Sequence, residues 1–152
     1  MTTRKPSKKE IAKAVEKTKN KAEEYARDPR KAKVLLDSAV KKAKNYDRNR
    51  GPLAEVWSYL TALFRLLRAY IRKDYREVAW GSIVLVIVAI IYFVSPVDLI
   101  PDILPVIGIS DDAAVIAFVV AQIKTDLDNF LAWEIEWSDG ESDSKEVKSE
   151  HP

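Results

Sequence analysis

The chain of 152 residues has no cysteine, one histidine and only four glycines. Without cysteine there are no disulfides and no thiolate metal sites, and redox usage says nothing about the compartment. The one histidine, His151, stands in the terminal tail, so no histidine-based metal spacing exists. No glycine-rich phosphate loop occurs, and no nucleophile stands with a base at a recognised spacing. These absences lead to the expectation of a chain that is not an enzyme and carries no cofactor. A long apolar run is also missing until Val78. A cleavable secretory signal is therefore not expected, and the N-terminal region is placed in the cytoplasm. No internal repeat is visible.

Charge is abundant but unevenly placed. Residues 1–76 carry 22 Lys/Arg against 9 Asp/Glu, whereas residues 77–152 carry 3 against 14, inside a net charge of only +2. Such an asymmetry points to an anionic partner for the N-terminal half, either lipid or nucleic acid. Nucleic acid is disfavoured: the first two basic helices offer only Tyr25 and Tyr46 as aromatics, no recognised module, and many glutamates.

Helical periodicity runs through most of the chain. Ile11, Val15, Thr18, Ala22 and Tyr25 recur at spacings of three and four, behind a capping box of Ser7 and Glu10. Asp28-Pro29 breaks that helix and starts the next with proline at its first position. Ala32, Leu35, Leu36, Ala39, Ala43 and Tyr46 then line one face. Both stripes are thin and rich in alanine, so residues 1–50 read as a basic cytoplasmic helical region that pairs within itself, docks on a protein partner or stays partly disordered. Residues 45–52, NYDRNRGP, read as a linker. From Leu53 to Arg76 a stronger stripe recurs: Val56, Trp57, Leu60, Leu63, Phe64, Leu67, Tyr70 and Ile71. Arg65, Arg68, Arg72, Lys73 and Arg76 gather towards its far end. One reading makes 53–76 an interfacial helix with these five cations on lipid phosphates. The other is an amphipathic helix packed on the first two.

Next comes VAWGSIVLVIVAIIYFV, seventeen residues (78–94) without a charge and the lower edge of what spans a bilayer. Trp80 and Tyr92 stand near its ends, where amphipathic aromatics prefer membrane interfaces. Cations just before a span stay on the cytoplasmic side, which orients it. A turn rich in proline and aspartate follows, and then a shorter apolar run from Ala113 to Ile123. Residues 112–133 read as one helix, embedded in its first half and amphipathic in its second. The tail 138–152 is polar and acidic and is expected to be disordered.

The segment YFVSPVDLIPDILPVIGISDDAAVI resembles the hallmark of the YkvA-type family, a domain of unknown function found in small bacterial membrane proteins. Its pattern is matched by Ser95, Pro96, Asp98, Leu99, Ile100, Pro101, Asp102, Pro105, Gly108, Asp111 and Asp112. The resemblance covers about residues 78–123. It implies a membrane helical hairpin in the bacterial cytoplasmic membrane and imports no activity.

Physically, the motif reads as architecture. Ser95, Pro96 and Asp98 resemble a helix cap with proline at the first position, and Pro101 and Pro105 stop continuation. Gly108 permits a conformation other residues avoid. Ser110 and Asp111 can cap the returning helix, with Asp111 and Asp112 favoured by its dipole. The competing reading has Asp98, Asp102, Asp111 and Asp112 converge as oxygen ligands for Ca²⁺ or Mg²⁺, or as a proton path. The expected architecture is all-α: a membrane hairpin over 77–133, preceded by amphipathic helices. Its function would be a membrane-anchored structural or adaptor protein, with ion or proton handling as the alternative. A bundle burying 78–94 in its own core is the competing architecture. It is disfavoured because the other helices offer thin stripes. A short return helix also favours a homo-oligomer, whose copies would cover it.

Capping and ion binding make different demands on the aspartates. Asp98→Asn and Asp111→Asn are expected to match the parent in thermal stability, while alanine at either position costs about 0.5–2 kcal/mol. Stabilisation of the parent by Ca²⁺ or Mg²⁺ that disappears in Asp102→Asn would establish the ion site instead.

Overall fold

The computed structural model describes residues 7–46, 53–94 and 112–150, with side chains from 113 to 137 in the last stretch. Six α-helices and one 3₁₀ turn make up these residues, and there is no strand among them. The helices are α1 (Lys8–Arg27), α2 (Pro29–Lys44), α3 (Trp57–Ile71), α4 (Trp80–Val94), α5 (Asp112–Gln122) and α6 (Lys124–Glu150).

Local chemistry sets the helix ends. Ser7 caps α1: its hydroxyl accepts from the Glu10 amide at 3.1 Å, and the Glu10 carboxylate accepts from the Ser7 amide at 3.5 Å. This is the expected capping box. The Asp28 carboxylate accepts from the Arg30 amide at 3.0 Å, with Pro29 opening α2. A 3₁₀ turn at Ala54–Val56 leads into α3. That helix closes in a Schellman motif, with the Asp74 amide donating to the Ala69 carbonyl at 2.9 Å and the Lys73 amide to Tyr70 at 3.1 Å. The motif needs a left-handed residue after the cap, and Lys73 supplies it at φ 64°. The helix expected over 53–76 therefore ends at Ile71, and 72–79 is an irregular connection.

The charge-free run is the centre of the molecule. In α4 every residue from Ile83 to Phe93 except Leu85 is buried, and the helix touches α1, α2, α3 and α5. Valine and isoleucine are mediocre helix formers, but enclosure on all sides outweighs propensity. The expectation of a span is not supported by this structure. Fifteen residues at ~1.5 Å each reach only ~22 Å, against a hydrocarbon core of ~30 Å. Among the described residues no helix is long and apolar enough to cross a membrane.

Thin stripes proved sufficient as a sheath, for a geometric reason. Ala14, Thr18 and Ala22 lie one turn apart on α1, all fully buried, with Val15 and Ile11 beside them. Small side chains let the α1 backbone approach α4 closely, so dispersion contacts come from the whole helix surface rather than from large side chains. The Thr18 hydroxyl, the buried polar group of this interface, donates to the Ala14 carbonyl at 2.9 Å and lies 3.5 Å from the Tyr92 hydroxyl. On α2, Ala32, Leu35, Leu36 and Ala39 are buried likewise.

The apolar stripe of α3 is also occupied by protein. Leu60, Leu63, Phe64 and Leu67 are buried, as are Ala62, Leu66 and Ala69, and α3 touches α2, α4, α5 and α6. The stripe packs on protein in this structure, as in the reading of 53–76 as an amphipathic helix packed within the bundle. The return segment is two helices rather than one, meeting at Ile123, whose amide donates to Val119 at 3.0 Å. Val115, Ile116 and Val119 of α5 are buried within this chain. The helical backbone of α6 runs on to Glu150, through the segment expected to lack structure. Once a helix is nucleated by a packed first half, each further residue adds one hydrogen bond at small cost. The linker from 47 on and the proline-rich turn (95–111) lie outside the described residues.

If close approach at α1 is what covers α4, then Ala14→Leu should destabilise the fold by about 1–3 kcal/mol through overpacking. Val34→Leu, at a position 65% exposed on α2, should leave it within about 0.5 kcal/mol. Chemical denaturation followed by circular dichroism measures both.

Candidate functional site

A buried apolar helix still has polar ends, because the first amides and last carbonyls have no partners within the helix. Two charged side chains from elsewhere meet the ends of α4. At the start, the Asp126 carboxylate of α6 accepts from the Ser82 hydroxyl at 2.5 Å and from the Ala79 amide at 3.3 Å. At the finish, the Lys42 ammonium of α2 donates to the carbonyls of Phe93 and, at 3.2 Å, Val94. It also lies 4.9 Å from the centre of the Phe93 ring. The anion is at the positive end of the helix dipole and the cation at the negative end, the favourable sense at both. Neither residue was singled out in the sequence. Their partners lie 44 and 51 positions away, and no local pattern marks such a pairing.

Four of the five candidate cations of the α3 end divide between two openings. Arg65, Arg68 and Arg72 line a shallow groove of about 220 Å³ between α3 and α6, with Trp133, Glu134 and Trp137 opposite. Glu134 holds Arg65 in a fork, at 2.6 Å from Nε and 3.2 Å from the terminal nitrogen. Arg68 and Arg72 have no ion-pair partner among the described residues. Trp137, in the groove wall, is 52% exposed. Lys73 is exposed and lines neither opening. Arg76 faces a separate cavity, with its guanidinium 4.2 Å from the Tyr70 ring centre.

That cavity, about 260 Å³, lies where the α1–α2 corner meets the end of α3 and the start of α4. Arg27 and Trp80 share its mouth with Arg76. Between the groove and α4 sits an aromatic cluster. The Tyr75 ring lies 5.4 Å from Phe130 and 5.0 Å from Trp133, and Trp133 stacks on Trp137 at 5.3 Å. A second cluster, of Tyr46, Trp57, Phe64 and Phe93, closes the opposite end of α4.

Of the candidate ion ligands, Asp98, Asp102 and Asp111 lie outside the described residues, as do Ser95, Pro96, Pro101, Pro105 and Gly108. Asp112 is the first residue of α5. Among the described residues no group of three or more His, Asp or Glu is placed to hold a metal ion.

Burial pushes the Tyr75 phenol above its ordinary range, with Glu77 and then Asp126 adding to the shift. The folded state therefore prefers the neutral phenol. Stability from this group is fully present below the ordinary tyrosine value of ~10 and is lost as pH rises through the raised folded value. Tyrosinate absorbance should show Tyr75 ionising above the ordinary tyrosine range, and Tyr75→Phe should remove that step. Asp126→Asn should bring it only part of the way back, since burial is the largest cause.

Comparison with known proteins bears on the same elements. The family model described as "Protein of unknown function (DUF1232)" matches residues 82–118, which take in most of α4, the proline-rich connection and the first part of α5. The Bacillus subtilis (strain 168) protein named "Uncharacterized membrane protein YkvA" is 31% identical over 107 residues, covering 70% of this chain and 98% of that protein. No solved structure matches. A relative of this identity, matched over almost its whole length, shows the family, and the chain belongs to the YkvA-like DUF1232 family.

Proposed function

We propose that this chain is a membrane-associated structural or adaptor protein without catalytic activity, a helical bundle held on anionic lipid at the cytoplasmic face of the bacterial inner membrane. The observation that carries the reading is the α3–α6 groove. It sets Arg68 and Arg72, which have no carboxylate partner among the described residues, beside the exposed Trp137. Guanidinium groups suit lipid phosphates, and indole rings prefer the headgroup level. The relative's name, a membrane protein, supports the location. In this arrangement α4 stays sheathed and attachment needs no crossing helix. The N-terminal helices remain on the cytoplasmic side, with the exposed faces of α1 and α2 left for a protein partner.

Sedimentation with lipid vesicles tests the reading. Vesicles containing phosphatidylglycerol should carry the protein down, and phosphatidylcholine alone should not. A surface cation contributes about 1 kcal/mol, so the double variant Arg68→Gln/Arg72→Gln should bind roughly thirty-fold more weakly. Moderate salt should weaken the parent similarly, because the groove is exposed. Equal binding to both kinds of vesicle, or indifference of the double variant, would remove the proposal.

A further inference from the structure

The cavity at the α1–α2 corner combines two chemistries that seldom share a small space. Its walls come from four helices and are aliphatic: Leu67 and Ile71 of α3, and Ile83 and Ile87 of α4. Ala26 and Ala32, on α1 and α2, leave room where larger residues would close it. Its mouth carries two guanidinium groups, Arg27 and Arg76, which lie far apart in the chain and are brought together only by the fold. The one carboxylate paired there is Glu23, 3.1 Å from Arg27, while Arg76 has no carboxylate partner among the described residues. Trp80, 42% exposed, flanks the opening.

An apolar interior under a cationic mouth is complementary to one class of molecule, an alkyl chain that ends in an anion. A volume of about 260 Å³ is slightly below the ~300 Å³ at which ordinary ligand pockets begin, which suits one chain and excludes two. We propose that this cavity binds a single acyl or alkyl chain, with its phosphate or carboxylate held between Arg27 and Arg76. The site is distinct from the α3–α6 groove. It rests on the surface reading only for the source of the ligand, a lipid of the membrane on which the bundle sits.

Alkyl phosphates of increasing length, kept below their micelle concentrations, provide the probe. Binding is followed by Trp80-sensitive fluorescence and by calorimetry on the full chain. Affinity should rise about four-fold for each methylene and level off when the cavity is full, a plateau that partition onto a surface does not produce. Inorganic phosphate should bind far more weakly than dodecyl phosphate. Ala26→Leu, which fills a half-buried edge of the cavity, should bring the plateau to a shorter chain. Arg76→Gln should weaken every member of the series about ten-fold with the length dependence intact. Thermal unfolding of each variant confirms that it is folded. Dodecyl phosphate binding no tighter than inorganic phosphate, or unchanged in both variants, would overturn the proposal. The Arg68→Gln/Arg72→Gln variant separates the two sites. It should keep dodecyl phosphate binding while losing vesicle binding, and loss of dodecyl phosphate binding in that folded variant would place the ligand in the α3–α6 groove and overturn the cavity.

Discussion

Everything in this fold follows from the need to enclose α4 on all sides while satisfying its two polar ends. An apolar helix in a core loses nothing along its length, because its amides bond to its own carbonyls. Its ends are the exception, and buried amides or carbonyls without partners are costly. Asp126 at the start and Lys42 at the finish meet that need, each with the charge the helix dipole favours. Those two contacts tie α6 and α2 to the ends of α4. The positions of the Tyr75 cluster and of the α3–α6 groove depend in turn on that placement of α6.

The charge asymmetry along the chain takes on a second meaning in three dimensions. A basic first half and an acidic second half suggest an external anionic partner. Part of that asymmetry is internal complementarity, since Arg65 of the basic half is forked by Glu134 of the acidic half. Arg68, Arg72 and Arg76 remain after this pairing. They line the groove and the cavity beside the paired Arg65 and Arg27, and have no carboxylate partner among the described residues.

Membership of a family that includes a protein named for the membrane stands beside a structure in which no described helix is long and apolar enough to cross one. The two statements concern different things. The first concerns where a relative resides, and the second concerns how one apolar run is covered here.

Much of this architecture was legible in the chain. Ser7 with Glu10, and Asp28 with Pro29, set helix ends through bonds within four residues, so local sequence determines them. Periodicity named the buried face of α2 and most of that of α3 for the same local reason. What covers an apolar surface is not local. A charge-free run reads identically whether lipid or protein surrounds it, and alanine stripes look too thin for a sheath until the closeness of α1 to α4 is known. Asp126, Lys42 and Glu134 acquire their roles from partners 44 to 69 residues away. The sequence by itself determined most of the helices, the caps of α1 and α2, and the family. Only the tertiary structure decided that protein encloses the central run, and which arginines are left facing outward, because burial and pairing are properties of surfaces that meet in space.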